Sequence, residues 1–188
     1  MSDRLTGGAT DATRMSDRLT GPLTRALLVV LGFTAAGALA GLAWEALWEP
    51  PTGVVIEDEW LMAPSGPDVS FSGTALYVLL ALPVGVVLGA LAGLLRHHEV
   101  VTTGSVVLGS VVAGWVMYAV GHALGPPDPR VLAAGEPDYT QVPGDLVLAG
   151  PDETTSPYLS TAAVALPLGA SGGLGFIYLS GFRQRQQG

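Results

Sequence analysis

Residues 66–95 read GPDVSFSGTALYVLLALPVGVVLGALAGLL, and residues 150–179 read GPDETTSPYLSTAAVALPLGASGGLGFIYL. Displaced by 84 positions, they superimpose Gly66-Pro67-Asp68 on Gly150-Pro151-Asp152, Ser72 on Ser156, Ala81-Leu82-Pro83 on Ala165-Leu166-Pro167, Gly85 on Gly169 and Gly89 on Gly173. Each stretch joins a polar Gly-Pro-Asp entry to an apolar run long enough to cross a hydrocarbon core about 30 Å thick at about 1.5 Å of rise per residue. A weaker correspondence, at a displacement of 77, sets Gly32 on Gly109, Ala36-Gly37 on Ala113-Gly114, Ala46-Leu47 on Ala123-Leu124 and Pro50 on Pro127. The expected organisation is two tandem copies of one helical hairpin, the second with seven additional residues in its connecting loop.

Four runs have spanning length: Ala26 to Leu47, Thr74 to Leu95, Gly104 to Leu124 and Tyr158 to Gly181. Glu45 and His122 are the only ionisable side chains within them, each near one end. With 49% hydrophobic and 13% charged residues, the chain is too apolar for an ordinary soluble surface. Backbone polar groups in lipid need internal partners, so helices are expected despite abundant Val and Gly. The predicted fold is all-α and integral to the membrane, with four transmembrane helices in two hairpin repeats. Both copies run the same way, so their pseudo-twofold axis would lie along the membrane normal. The predicted organisation is a disordered cytoplasmic tail over 1–24, a first hairpin over 25–95, a second over 96–182 and a cytoplasmic tail over 183–188.

Charge sets the expected orientation. Arg4, Arg14, Arg18 and Arg25 precede the first run, Arg96 lies between the second and third, and Arg183 and Arg185 follow the fourth. The two loops on the other side hold Arg130 against twelve acids, from Glu45 to Glu153. The excess of positive charge on the cytoplasmic side of membrane proteins then puts both termini inside and both acidic loops outside, in a plasma membrane. The net charge of −8 belongs to the outer face and argues against nucleic acid as a partner. Cysteine is absent, so no disulfide holds the outer loops. Arg25, the following apolar stretch and Ala38-Leu39-Ala40 have the form of a signal peptide cleaved after Ala40. The run continues to Leu47 and takes part in the repeat, so a retained span is expected. Met1 to Gly7 and Met15 to Gly21 both read MSDRLTG, as an ambiguous or duplicated translation start between Met1 and Met15 would produce.

Small residues at fourfold spacing are predicted to build the helix contacts, because lipid supplies no hydrophobic drive between helices. They are Gly85, Gly89 and Gly93 in the second run, Gly169 and Gly173 in the fourth, and Gly37 and Gly41 in the first. Pro83 and Pro167 each remove a backbone donor and are predicted to kink their helices. Ser72 and Ser156 are predicted helix caps, Ser156 being followed by Pro157 at a first-turn position. Trp44, Trp48, Tyr77, Tyr118 and Tyr158 are expected as anchors at the outer interface, with Tyr178 near the inner one. Gly53-Val54-Val55-Ile56 and Asp145-Leu146-Val147-Leu148 are β-prone and are expected to pair as a small cap from the outer loops.

No cofactor, metal or catalytic constellation is predicted. His97 and His98 lie in the turn between the second and third runs, about 30 Å of membrane away from His122, so the three cannot share one ion. Zinc-type spacings are absent, and the acidic loops lack the regular spacing of a calcium loop. Gly169 to Gly175 falls inside an apolar run with no preceding strand, unlike a nucleotide-binding loop. Under the displacement of 77, Glu45 aligns with His122, placing an acid and a base at equivalent outer helix ends as a candidate pH-sensitive pair.

The four-run order, Leu124-Gly125-Pro126-Pro127-Asp128-Pro129 after Gly121-His122, and Phe71-Ser72-Gly73-Thr74 resemble an uncharacterised family of actinobacterial four-span membrane proteins, a domain of unknown function. The likeness covers about residues 25 to 182. It implies a bacterial plasma membrane and transfers no catalytic residues. The expected function is that of a noncatalytic multi-pass protein, an accessory or scaffold subunit whose partners are the lipid bilayer and other membrane subunits or further copies of itself. The alternative is a small transporter or channel component with a pathway along the pseudo-twofold axis.

Overall fold

The computed structural model describes residues 7–57, 59–62, 67–95, 99–148 and 160–185. Helix α1 spans Gly7–Leu47, followed by strands β1 (Thr52–Ile56) and β2 (Glu59–Met62) and helix α2 (Pro67–Gly93). Helix α3 (Glu99–Leu124), short helix α4 (Pro129–Ala133) and strand β3 (Gln141–Pro143) come next, before a 3-10 turn (Thr161–Val164) leads into α5 (Ala165–Arg185). Four helical stretches are long and apolar enough to cross a membrane: Gly21–Leu47, Phe71–Gly93, Glu99–Ala133 and Thr161–Gly181. Leucine, valine and aromatic side chains cover much of their outside, including Leu28, Leu79, Val87, Leu108, Trp115 and Phe176.

The helices associate chiefly as two pairs, α1 with α3 and α2 with α5. Glycine makes both seams. A methyl group on Gly37 would fall on the Ala113 carbonyl, one on Gly41 on the Met117 carbonyl, and one on Gly121 on the Trp44 ring. In the other pair, Gly85 lies against Leu166, Gly169 against Leu82, Gly89 against Ala170 and Gly173 against Val86, each at a backbone carbonyl. Gly93 faces the Ile177 and Leu174 side chains instead. Between the pairs, Trp44, Tyr77, Met117 and Leu166 are fully buried, with Phe33, Ala81, Ala113 and Ala170 around them.

Trp44 and Tyr77 therefore belong to the core rather than to an interfacial belt, and Tyr118 is also buried. Their polar atoms explain how this is tolerated. Trp44 Nε1 donates to the Gly73 carbonyl at 2.8 Å and the Tyr77 hydroxyl donates to the Gly114 carbonyl at 2.8 Å. The two rings meet edge-on, with centroids 5.2 Å apart.

Helix termini also differ from expectation. Helix α1 begins at Gly7, within the segment expected as a disordered tail. The helix continues through Pro22, which leaves the Arg18 carbonyl without its helical donor. Helix α2 begins at Pro67, which suits a first-turn proline, so Ser72 lies inside the helix and does not cap it. Ser156 lies outside the described residues. The hydroxyl that caps the 3-10 turn belongs to Ser160, which accepts from the Ala162 amide at 3.3 Å. Pro83 is interior to α2 and leaves the Leu79 carbonyl without its helical donor, but Pro167 is the third residue of α5. At that position a missing N–H costs no α-helical bond, so the two prolines do not act alike.

At the end of the bundle where α1 and α3 finish, the strands form an antiparallel sheet in the order β2-β1-β3. Gly53 pairs with Met62 on one side and with Val142 on the other. Gly53–Ile56 is thus a strand as expected, whereas Asp145–Leu148 is not. That segment instead sends Leu146 and Leu148 into the bundle core and turns Val147 outward. Its alternation is that of an extended plug, because burying two leucines at the bundle end replaces a strand partner.

Candidate functional site

A group of polar side chains lies beside this plug. The last turn of α3 carries His122, and one turn earlier Tyr118 stacks on it with ring centroids 5.4 Å apart and planes 8° from parallel. Helix α3 closes with Gly125 N–H donating to the Gly121 carbonyl at 3.0 Å. Pro126 and Pro127 then carry the chain to Asp128, whose carboxylate accepts from the Arg130 amide at 2.9 Å and caps α4. The returning chain is tied down by Gly144 N–H to the Pro51 carbonyl at 2.7 Å. This leaves the Leu146 carbonyl 2.8 Å from His122 Nδ1. A carbonyl can only accept, so Nδ1 carries the proton and Nε2 is the basic nitrogen of the neutral ring.

Two cavities meet here. One, of about 440 Å³, is lined by Tyr118, His122, Pro126, Pro127, Asp128 and Asp145 among others. The second, of about 100 Å³, lies under the sheet among Trp48, Pro51, Trp60, Gly73 and Asp145. Asp145 borders both. Burial raises its carboxyl above the usual carboxylate range, and repulsion from Asp128 adds to this. Its own backbone amide, His122 and Arg130 oppose the shift. Trp48 Nε1, at the smaller cavity, is buried without an acceptor.

The predicted pairing of Glu45 with His122 is not what the fold brings together. Glu45 lines neither cavity, and the acids that share a cavity with His122 are Asp128 and Asp145. Helices α1 and α3 run parallel and meet through Trp44 and Gly121. Glu45 and His122 each follow a contact residue by one position, about 100° further round its helix. Parallel neighbours turn those next residues to opposite sides of the seam. Asp145 had no flag in the sequence beyond its place in a β-prone piece. The signal for it in the sequence is the alternation of Leu146 and Leu148, which requires an inward-facing segment with Asp145 at its edge.

His97 and His98 lie outside the described residues, and among the described residues no three His, Cys, Asp or Glu side chains converge as a metal site. The arrangement offers a proton acceptor, two carboxylates and an aromatic face at one end of an apolar bundle. No protein-family model, curated protein or solved structure matches this chain.

Proposed function

We propose that the protein is a noncatalytic four-span subunit of a plasma-membrane assembly, with its termini cytoplasmic and the sheet and acidic loops outside. The observation that carries this over a conduit is the filled axis. Trp44, Tyr77, Met117 and Leu166 occupy the space between the helix pairs with no exposure, and the seams close glycine to backbone. A pathway along the axis would have to displace this packing. What remains for interaction is the apolar outside of the helices and the acidic cap.

The tandem-hairpin reading draws support from the contacts. Gly85 against Leu166 and Gly169 against Leu82 interchange under the displacement of 84, as do Gly89 against Ala170 and Gly173 against Val86. Reciprocal contacts of this kind are what a twofold relation produces. Purification in mild detergent followed by mass spectrometry tests the functional reading. A stoichiometric membrane partner is expected, whereas a lone oligomer that carries ion flux in liposomes would overturn it.

A further inference from the structure

A groove of about 530 Å³ opens between α1 and α2, at the end of the bundle away from the sheet. It exists because these helices are not a glycine-sealed pair: α1 commits its small-residue face to α3, and α2 commits its own to α5. Leu28 and Phe33 form one wall, and Leu88, Leu91 and Leu95 the other. Gly32 keeps the floor open, since a methyl group there would meet nothing within 4 Å. The polar end is made by Thr24 and Arg25. From Arg25 to Phe33 the helix rises about 12 Å, so the charge stands at the head of an apolar trough and not along it.

We propose that this groove is a binding site for an anionic phospholipid, with an acyl chain between α1 and α2 and the phosphate at Arg25 and Thr24. The inference rests on the membrane reading above. Its volume lies within the range of about 300–1,000 Å³ typical of small-molecule sites. Charge complementarity selects the occupant. A guanidinium forms paired hydrogen bonds with phosphate oxygens, and the cytoplasmic leaflet, which this end faces in the proposed orientation, carries the anionic lipids. A second copy of the chain would fill the trough with side chains but would bring no phosphate to Arg25.

The test uses the full chain in mild detergent, offered phosphatidylglycerol or phosphatidylcholine with identical acyl chains, with retained lipid counted by native mass spectrometry. One basic residue at the surface is worth about 1 kcal/mol, so phosphatidylglycerol should be retained about fivefold better. Arg25→Gln should bring the two lipids to parity, and Arg25→Lys should restore part of the preference. Gly32→Leu, at a position with room for its side chain, should reduce retention of both lipids while leaving helicity unchanged. Equal retention by the unmodified chain overturns the site, as does a preference unaffected by Arg25→Gln. A Gly32→Leu variant that loses a dimer while keeping its lipid would give the groove to a second copy instead. Release of the chain from membranes at alkaline pH would overturn the membrane reading itself, whereas a chain that stays embedded but binds lipid without preference overturns the lipid site alone.

Discussion

Replacing Gly89 by alanine measures how far backbone contact, rather than side-chain packing, holds α2 to α5. A methyl group at Gly89 would fall on the Ala170 carbonyl oxygen and lie 2.7 Å from its carbon and 2.8 Å from the Ala170 Cα. None of these atoms can swing aside. Carbon atoms rest about 3.5–4.0 Å apart, so the two backbones must part by about 1 Å. Overpacking of this kind costs about 1–3 kcal/mol, against a helix-propensity gain of up to about 1 kcal/mol for alanine over glycine. Lipid offers no compensating hydrophobic drive for helices that have moved apart. The expected net loss is about 1–2 kcal/mol. Gly172 supplies the control, because a methyl group there meets nothing within 4 Å. Gly172→Ala should be neutral or stabilise by up to about 1 kcal/mol. Denaturation of each variant in mixed detergent, followed by helicity, should separate these chemically identical changes by roughly 1–3 kcal/mol, the overpacking cost itself, because the propensity gain is common to both. If Gly89→Ala is as stable as Gly172→Ala, the glycine seam is not what joins the pair. Adding Gly173→Ala to Gly89→Ala should cost less than the sum of the two, since one separation relieves both clashes.

Three further outcomes are expected. Tyr77→Phe removes the second hydrogen bond on the buried Gly114 carbonyl, which keeps its helical donor, and should cost about 0.5–1.5 kcal/mol in the same denaturation assay; an unchanged midpoint would mean that water replaces the hydroxyl. His122→Ala removes the hydrogen bond to the Leu146 carbonyl, so amide exchange over 145–148 should quicken while exchange in α2 is unaffected. Burial raises the Asp145 carboxyl above its usual range, so the folded protein holds that proton more tightly than the unfolded chain does. This contribution to stability is complete below the ordinary carboxylate pKa and is lost as pH rises through the raised one. Asp145→Asn should therefore flatten the stability profile between acidic and neutral pH, with its largest relative gain at neutral pH; an identical profile in both proteins would refute the burial argument.

The contrast between Pro83 and Pro167 shows where sequence reasoning stops. Both stand in Ala-Leu-Pro-x-Gly, and local chemistry treats them alike, yet one is interior to α2 and the other sits in the first turn of α5. Where a helix begins depends on what satisfies its first donors, and at α5 that is a 3-10 turn capped by Ser160. The same holds for aromatic residues. Trp44 near a helix end reads as an interfacial anchor until Gly121 supplies space for its ring and Gly73 supplies an acceptor for its indole. Neither partner is near it in the chain.

By itself the sequence determined the four apolar helices, the glycine rows that seal them and a strand at Gly53–Ile56. Each follows from properties local to a run: its length against the hydrocarbon thickness, its small-residue spacing, its β-branched content. Only the tertiary structure decided that α1 pairs with α3 and α2 with α5, that Asp145–Leu148 plugs the bundle, and that His122 bonds the Leu146 carbonyl and shares a cavity with Asp145. Those outcomes turn on the rotation of one helix about another. The residue next to a contact points some 100° away from it, and a pattern along one chain cannot say which way its neighbour has turned.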